Sequence, residues 1–132
     1  MGRTVQVSVD AEHPERLIRF WCEVLGYELE PLHPAARAEL EAMGLDPDSS
    51  GRMFAAAVDP SGVGPRLFAQ RVPEGKTAKN RLHLDVRVGS AERPAEVARL
   101  VGLGASEHGS FDEHGSSWTV LTDPEGNEFC VG

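Results

Sequence analysis

The segment Arg81-Leu82-His83-Leu84-Asp85-Val86-Arg87-Val88 sets an imidazole, a carboxylate and a guanidinium two residues apart, each separated by an aliphatic side chain. A side-chain period of two is that of a β-strand. His83, Asp85 and Arg87 therefore share one face, and Leu82, Leu84, Val86 and Val88 share the other. A histidine with a carboxylate two residues along the same face is equipped for acid or base chemistry, the neighbour orienting the ring. The same face equally suits the solvated side of a half-buried sheet. Cys130 is a nucleophile if His83 lies beside it, and otherwise a small buried thiol. Trp118, which follows Gly115-Ser116-Ser117, is a stacking candidate. His13, His33, His108 and His114 stand at element ends or beside a Gly-Ser-Phe loop and carry no clear signal.

The elements that would position these residues follow from periodicity. Thr4–Val9 alternates as a first strand, with Gln6 and Ser8 on its polar side. Pro14 and Glu15 suit a helix start, and Leu17, Ile18, Phe20, Trp21, Val24 and Leu25 recur at helical spacing until Gly26 stops the run. Tyr27–Leu32 reads as a second strand. Pro34–Met43 is a short alanine-rich helix ended by Gly44, and residues 46–51 a polar loop. Met53–Val58 and Arg66–Val72, joined by a Gly- and Pro-rich turn, form a hairpin. Residues 73–80 read as a linker. After the strand at 81–88 come a helix opened by Pro94, a short strand at 105–109, a loop at 110–115, a strand at 118–122, the turn Asp123-Pro124-Glu125-Gly126-Asn127, and a last strand at 128–131.

Composition bounds the class. The chain has 132 residues, 40% hydrophobic and 26% charged, which suits one soluble domain. A net charge of −8 with only two lysines argues against nucleic acid. No apolar run reaches membrane-helix length, and no apolar signal region opens the chain, so we expect a cytoplasmic protein that does not enter membranes. Cys22 and Cys130 form no disulfide framework and are expected as thiols.

The order strand, helix, three strands occurs twice. Val5–Val9 matches Leu82–Val86, Glu12-His13-Pro14 matches Glu92-Arg93-Pro94, Leu25-Gly26 matches Leu103-Gly104, and Asp59-Pro60-Ser61-Gly62 matches Asp123-Pro124-Glu125-Gly126. An internal duplication, at an offset near 78 residues for the first three, explains all four. Together with Arg16–Tyr27, Lys79–Val86 and Asp123–Val131, it resembles the vicinal oxygen chelate superfamily, and within it glyoxalase-like and bleomycin-resistance-like proteins. The resemblance spans nearly the whole chain. It implies an α+β fold of two tandem βαβββ modules forming a curved half-barrel cleft: module one at 1–72, a linker at 73–80 and module two at 81–132. It also implies a homodimer.

Metal-dependent members of the superfamily hold a divalent ion with four inward side chains, usually His or Gln, Glu, His and Glu. At these positions the chain offers Gln6, Gln70, His83 and Cys130, with Glu128 on the same face nearer the turn. Both carboxylates are replaced, and neutral amides are weak ligands for such an ion. We therefore expect no resident metal or other cofactor. Gln6, Ser8, Gln70, His83, Asp85, Trp118, Glu128 and Cys130 are expected to line a small-molecule site. Two readings stay open: a lyase- or isomerase-type enzyme acting on a small metabolite with His83 as acid or base, and a metal-free protein that sequesters a small molecule or antibiotic.

Overall fold

The computed structural model describes residues 2–132, and of residues 50–52 only the backbone. The chain divides into two compact units, Met1–Gly75 and Lys76–Gly132. In the first, β1 (Gln6–Ala11) leads into α1 (Pro14–Leu25), then β2 (Glu28–Leu29), α2 (Pro34–Ala42), a 3-10 helix at Pro47–Arg52, β3 (Phe54–Val58) and β4 (Arg66–Arg71). In the second, β5 (Asp85–Val86) precedes α3 (Arg93–Gly102), β6 (Ser106–Glu113), β7 (Ser116–Thr122) and β8 (Glu128–Val131). Each unit builds one open four-stranded sheet, ordered β1-β4-β3-β2 and β5-β8-β7-β6. Both sheets are mixed. β1 runs parallel to β4 and β5 parallel to β8, while the remaining pairs are antiparallel. This is the βαβββ arrangement, used twice.

Each sheet covers one face with its helix. Pro14 opens α1, where its missing N–H costs nothing, and Gly26 ends it at φ 68°. Leu17, Ile18, Phe20, Trp21 and Val24 are buried on α1, with Ala57, Leu67 and Ala69 buried on β3 and β4. Phe20 meets Trp21 edge to face at 5.7 Å, so both are core residues. In the second unit, Val97 and Leu100 of α3 are buried together with Leu121, Phe129 and Val131 of the sheet. Truncating any of the larger of these to alanine would cost about 2–5 kcal/mol.

The repeated turn is built the same way in both units. The Gly62 amide donates to the Asp59 carbonyl at 2.9 Å, and the Gly126 amide to the Asp123 carbonyl at 2.9 Å. Each aspartate carboxylate accepts a further backbone amide two residues on, from Ser61 and from Glu125. Gly62 and Gly126 lie at φ 74° and 88°, the left-handed region that glycine enters without strain.

Several elements differ from the expected spans. The strand expected at 81–88 is regular only at Asp85–Val86, where it pairs with Cys130 and Val131 of β8. Single bonds extend the pairing: Cys130 N–H to the Leu84 carbonyl, and Val88 N–H to the Gly132 carbonyl. Leu82, expected on the core face, is 89% exposed. The strand expected at 27–32 shrinks to Glu28–Leu29, and the polar loop at 46–51 is mostly 3-10 helix. The loop expected at 110–115 is largely strand. β6 runs to Glu113, and His114 and Gly115 turn the chain at φ 52° and 78°. Two successive positive φ values are those of a tight hairpin turn whose twist matches the strands it joins.

Candidate functional site

The face of each sheet turned away from its helix carries the polar side chains. In the first, register places Gln6 opposite Arg66, Ser8 opposite Phe68 and Asp10 opposite Gln70 on β1 and β4. Arg66 dominates this face. Its Nε and Nη2 donate to the Glu30 carboxylate, and its Nη1 donates to Gln6 Oε1 at 2.8 Å. The guanidinium carbon also lies 5.4 Å from the centre of the Phe68 ring, a cation–π contact. Gln6 Nε2 donates to Ser8 Oγ at 3.3 Å, and Gln70 Nε2 donates to Asp10 at 3.0 Å. Gln6, Ser8 and Gln70 are all exposed.

In the second unit, Asp85 lies opposite Cys130, and Cys130 opposite Val120. His83, just before β5, faces the same way. Its Nδ1 lies 3.1 Å from Asp85 Oδ1. An ionised carboxylate only accepts, so Nδ1 carries the proton and Nε2 holds the lone pair. One donor atom each from His83, Asp85 and Cys130 lie within 4.8 Å of one another. Burial, then the charge of Asp85 and a hydrogen bond to it, push the Cys130 thiol up. The protonated thiol and the imidazole thus share one carboxylate, and Cys130 is not the activated nucleophile that an adjacent His83 would otherwise make of it. Trp118, two residues along β7 from Val120, stacks on Phe111 of β6 at 6.0 Å with the planes 24° apart. Trp118 is half-buried and Phe111 46% exposed.

Glu128 shares this face but is already engaged. Lys76 Nζ donates to it at 2.8 Å and the Asn80 amide at 2.9 Å, and Asn80 also bonds Asn127. These two donors hold its carboxyl at about 2. The residues before β5 are therefore pinned to the β7–β8 turn by Glu128 and Asn127.

The superfamily's divalent ion would need Gln6, Gln70, His83 and Cys130 to converge. Gln6 and Gln70 sit four residues apart across the β1–β4 register, about 13 Å at the rise of a strand, too far to share an ion. The amide oxygen of Gln6 already faces a permanent cation, Arg66. Neither glutamine joins a ligand set with the other, and the four-donor pattern does not fit this chain. His83, Asp85 and Cys130 offer a nitrogen, an oxygen and a sulfur, but they already satisfy one another without an added charge.

Residues 6–132 match the family model for the glyoxalase-like domain. The chain belongs to the glyoxalase-like domain family. No curated protein sequence matches it. Solved structures share its fold at low identity. A possible glyoxalase from Bacillus cereus has 13% identity and a TM-score of 0.67, covering 99% of this chain and 98% of its own. A glyoxalase/bleomycin resistance protein/dioxygenase family enzyme from Burkholderia phytofirmans has 15% identity and a TM-score of 0.67, covering 96% and 94%. A mutant of the fosfomycin resistance protein FosX from Listeria monocytogenes, complexed with Mn(II) and a dihydroxypropylphosphonic acid, has 11% identity and a TM-score of 0.68, covering 99% and 90%. This glyoxalase-like domain thus has the vicinal oxygen chelate fold. Among its described residues, no helix is long and apolar enough to cross a membrane.

Arg66, Glu30, Phe68 and Phe111 join the candidate residues only in the structure. Arg66 shares strand parity with Phe68 and Gln70, a signal visible in the sequence. Its partner Glu30 lies 36 residues away and is brought near only by the strand pairing.

Proposed function

We propose that this glyoxalase-like domain is a small-molecule-binding protein that works without a resident metal, and that the polar face of its second unit makes the principal contacts. The observation that carries this reading is the pairing on one face of a closed His83–Asp85–Cys130 hydrogen-bond cluster with the stacked rings of Phe111 and Trp118. The rings offer an aromatic surface to a planar ligand, and the cluster offers the lone pair of His83 Nε2 to a ligand donor.

A second reading has its own support. Asp85 fixes the tautomer of His83 and leaves Nε2 as a base, the orientation a general base needs. In that reading the bound metabolite loses a proton to His83 in a lyase or isomerase step. The same proposal keeps a homodimer and a cytoplasmic setting, to be checked by sedimentation and by localisation of the tagged chain.

A ligand screen with wild type, Trp118→Ala and His83→Ala separates the readings. Sequestration expects a compound that Trp118→Ala binds at least about tenfold more weakly, that His83→Ala still binds, and that wild type leaves chemically unchanged. Turnover by wild type that disappears in His83→Ala establishes the enzyme reading instead. A hit whose affinity neither variant changes contradicts the site.

A further inference from the structure

We propose that Glu128 and Asn127 are positioning residues for His83: they fasten the segment Lys76–Asn80 to the β7–β8 turn and so hold the imidazole against Asp85 with its Nε2 lone pair free. The inference rests on the reading above, in which that lone pair meets the ligand.

His83 stands outside the strand ladder. Pairing with β8 begins at the Leu84 carbonyl, which accepts the Cys130 amide at 2.9 Å, and at Asp85, opposite Cys130. Among the described residues, no backbone–backbone hydrogen bond involves residues 73–83. Arg81, Leu82 and His83 are exposed, so burial does not fix them either. A stretch of this kind samples many backbone conformations unless something else restrains it.

The restraint comes from side chains of the turn. Glu128 accepts the Lys76 ammonium at 2.8 Å through one oxygen and the Asn80 amide at 2.9 Å through the other. The Asn80 side chain donates to Asn127 Oδ1 at 3.1 Å. Asn127 in turn donates its backbone amide and its side-chain nitrogen to the buried Asp123. The Lys76 stem crosses the turn, its Cδ 3.9 Å from where a Cβ on Gly126 would stand. The Lys76 and Glu128 side chains are only 22% and 21% accessible, so salt screens this pair less than an exposed one. The fastening thus has a buried root at Asp123 and ends on Asn80, three residues before His83. In the first unit the corresponding Asp59 spends its carboxylate on its own loop, accepting the amides of Ser61 and Gly64.

The consequence falls on the ring. Residues 81–83 hang between two fixed points, Asn80 on the turn and Leu84 on β8, and closing a short segment costs less entropy than closing a long one. Within that span His83 Nδ1 lies 3.1 Å from Asp85 Oδ1 and keeps the proton. Freed from Glu128, the unfastened stretch lengthens back toward Val72, whose amide makes the preceding backbone bond. The ring then leaves Asp85 for part of the time, and its proton is shared between the two nitrogens.

The test reads the ring itself. The full chain, 15N-labelled and free of ligand, is studied at pH 8 by two-bond proton–nitrogen correlation of its histidine rings. Wild type should show His83 as the Nδ1–H form. Glu128→Ala should lower the ratio of Nδ1–H to Nε2–H by at least about fivefold, the worth of one hydrogen bond. Asn80→Ala, which removes only the bond to Asn127, should lower it in the same direction and carries the test if Glu128→Ala does not fold. Glu128→Gln keeps an oxygen for the Asn80 amide and should hold the ratio within about twofold of wild type. His108, whose Nε2 lies 2.9 Å from Thr122 Oγ1 in the same unit, should be unchanged throughout. A merely structural Glu128 would lower stability and leave the His83 ring of the folded protein as it is, and that result would overturn the proposal. So would an Nε2–H ring in wild type, a His108 ring that moves as far as that of His83, or a loss in Glu128→Gln as large as in Glu128→Ala. No ligand enters the measurement, so a failed ligand screen and an unmoved ring are separate results.

Discussion

The two units repeat one strand order and one Asp-Pro-x-Gly turn, yet they use the corresponding sheet face in different ways. In the first, Arg66 reaches across strands to Glu30 and Gln6 and lies over Phe68. The result is a charge-balanced network in which Gln6 serves the protein's own contacts. In the second, Asp85 gathers a histidine and a thiol in a cluster that remains exposed, with His83 and Asp85 side chains 44% and 62% accessible. A duplicated backbone thus carries different side-chain networks on corresponding faces. The charge-balanced network lies in the first repeat, and the exposed histidine–carboxylate–thiol cluster in the second.

Mutations can break this contrast. The largest expected effect on stability is in the first unit. Arg66→Met leaves Glu30 without its cation in a partly buried setting and should cost about 2 kcal/mol in denaturant unfolding. A loss near zero would mean that the network is ornamental. Next comes Glu128→Gln, which weakens the contacts to Lys76 and Asn80 and should cost about 1 kcal/mol near neutral pH. Its pH dependence has a definite sign. The folded carboxyl lies at about 2, below its usual 4.5, so its contribution is complete above 4.5 and is lost as pH falls toward 2. Stability of the Gln variant measured across that window should therefore fall less steeply than that of wild type.

Smaller effects belong to the second unit's cluster. His83→Ala should change stability by less than about 0.5 kcal/mol, because the side chain is exposed, as is the Asp85 it bonds. A loss comparable to that of Arg66→Met would show that the two faces are not divided as described. The gentlest test is chemical. In a Cys22→Ser background, Asp85→Asn removes the charge that, with burial, holds the Cys130 thiol protonated, so labelling by a thiol reagent at pH 8 should quicken. An unchanged rate would uncouple Cys130 from Asp85.

How much of this was legible in the sequence depends on range. The repeat could be read because Asp59-Pro60-Ser61-Gly62 and Asp123-Pro124-Glu125-Gly126 encode local turns, and α1 could be read because its apolar stripe has a helical period. The position of His83 beside Asp85 followed from strand parity. What parity cannot give is register. Gln6 and Gln70 both lie on the polar face, and only the pairing of β1 with β4 reveals that they are four residues apart. The β6 edge strand was hidden for a related reason. Apart from Gly109 its residues are exposed, so no apolar alternation marks it, and the turn at His114-Gly115 places a non-glycine residue at positive φ. Glu128 looked available for a ligand because Lys76 and Asn80 reach it from a segment that reads as a linker.

In the function proposed above, the second unit's face operates with its own hydrogen-bonded cluster and not through a resident ion. Elemental analysis of the full chain, purified without chelators from cells grown in metal-replete medium, tests it most directly. The expected result is no stoichiometric transition metal or zinc. One ion per chain, lost on His83→Ala, would contradict it.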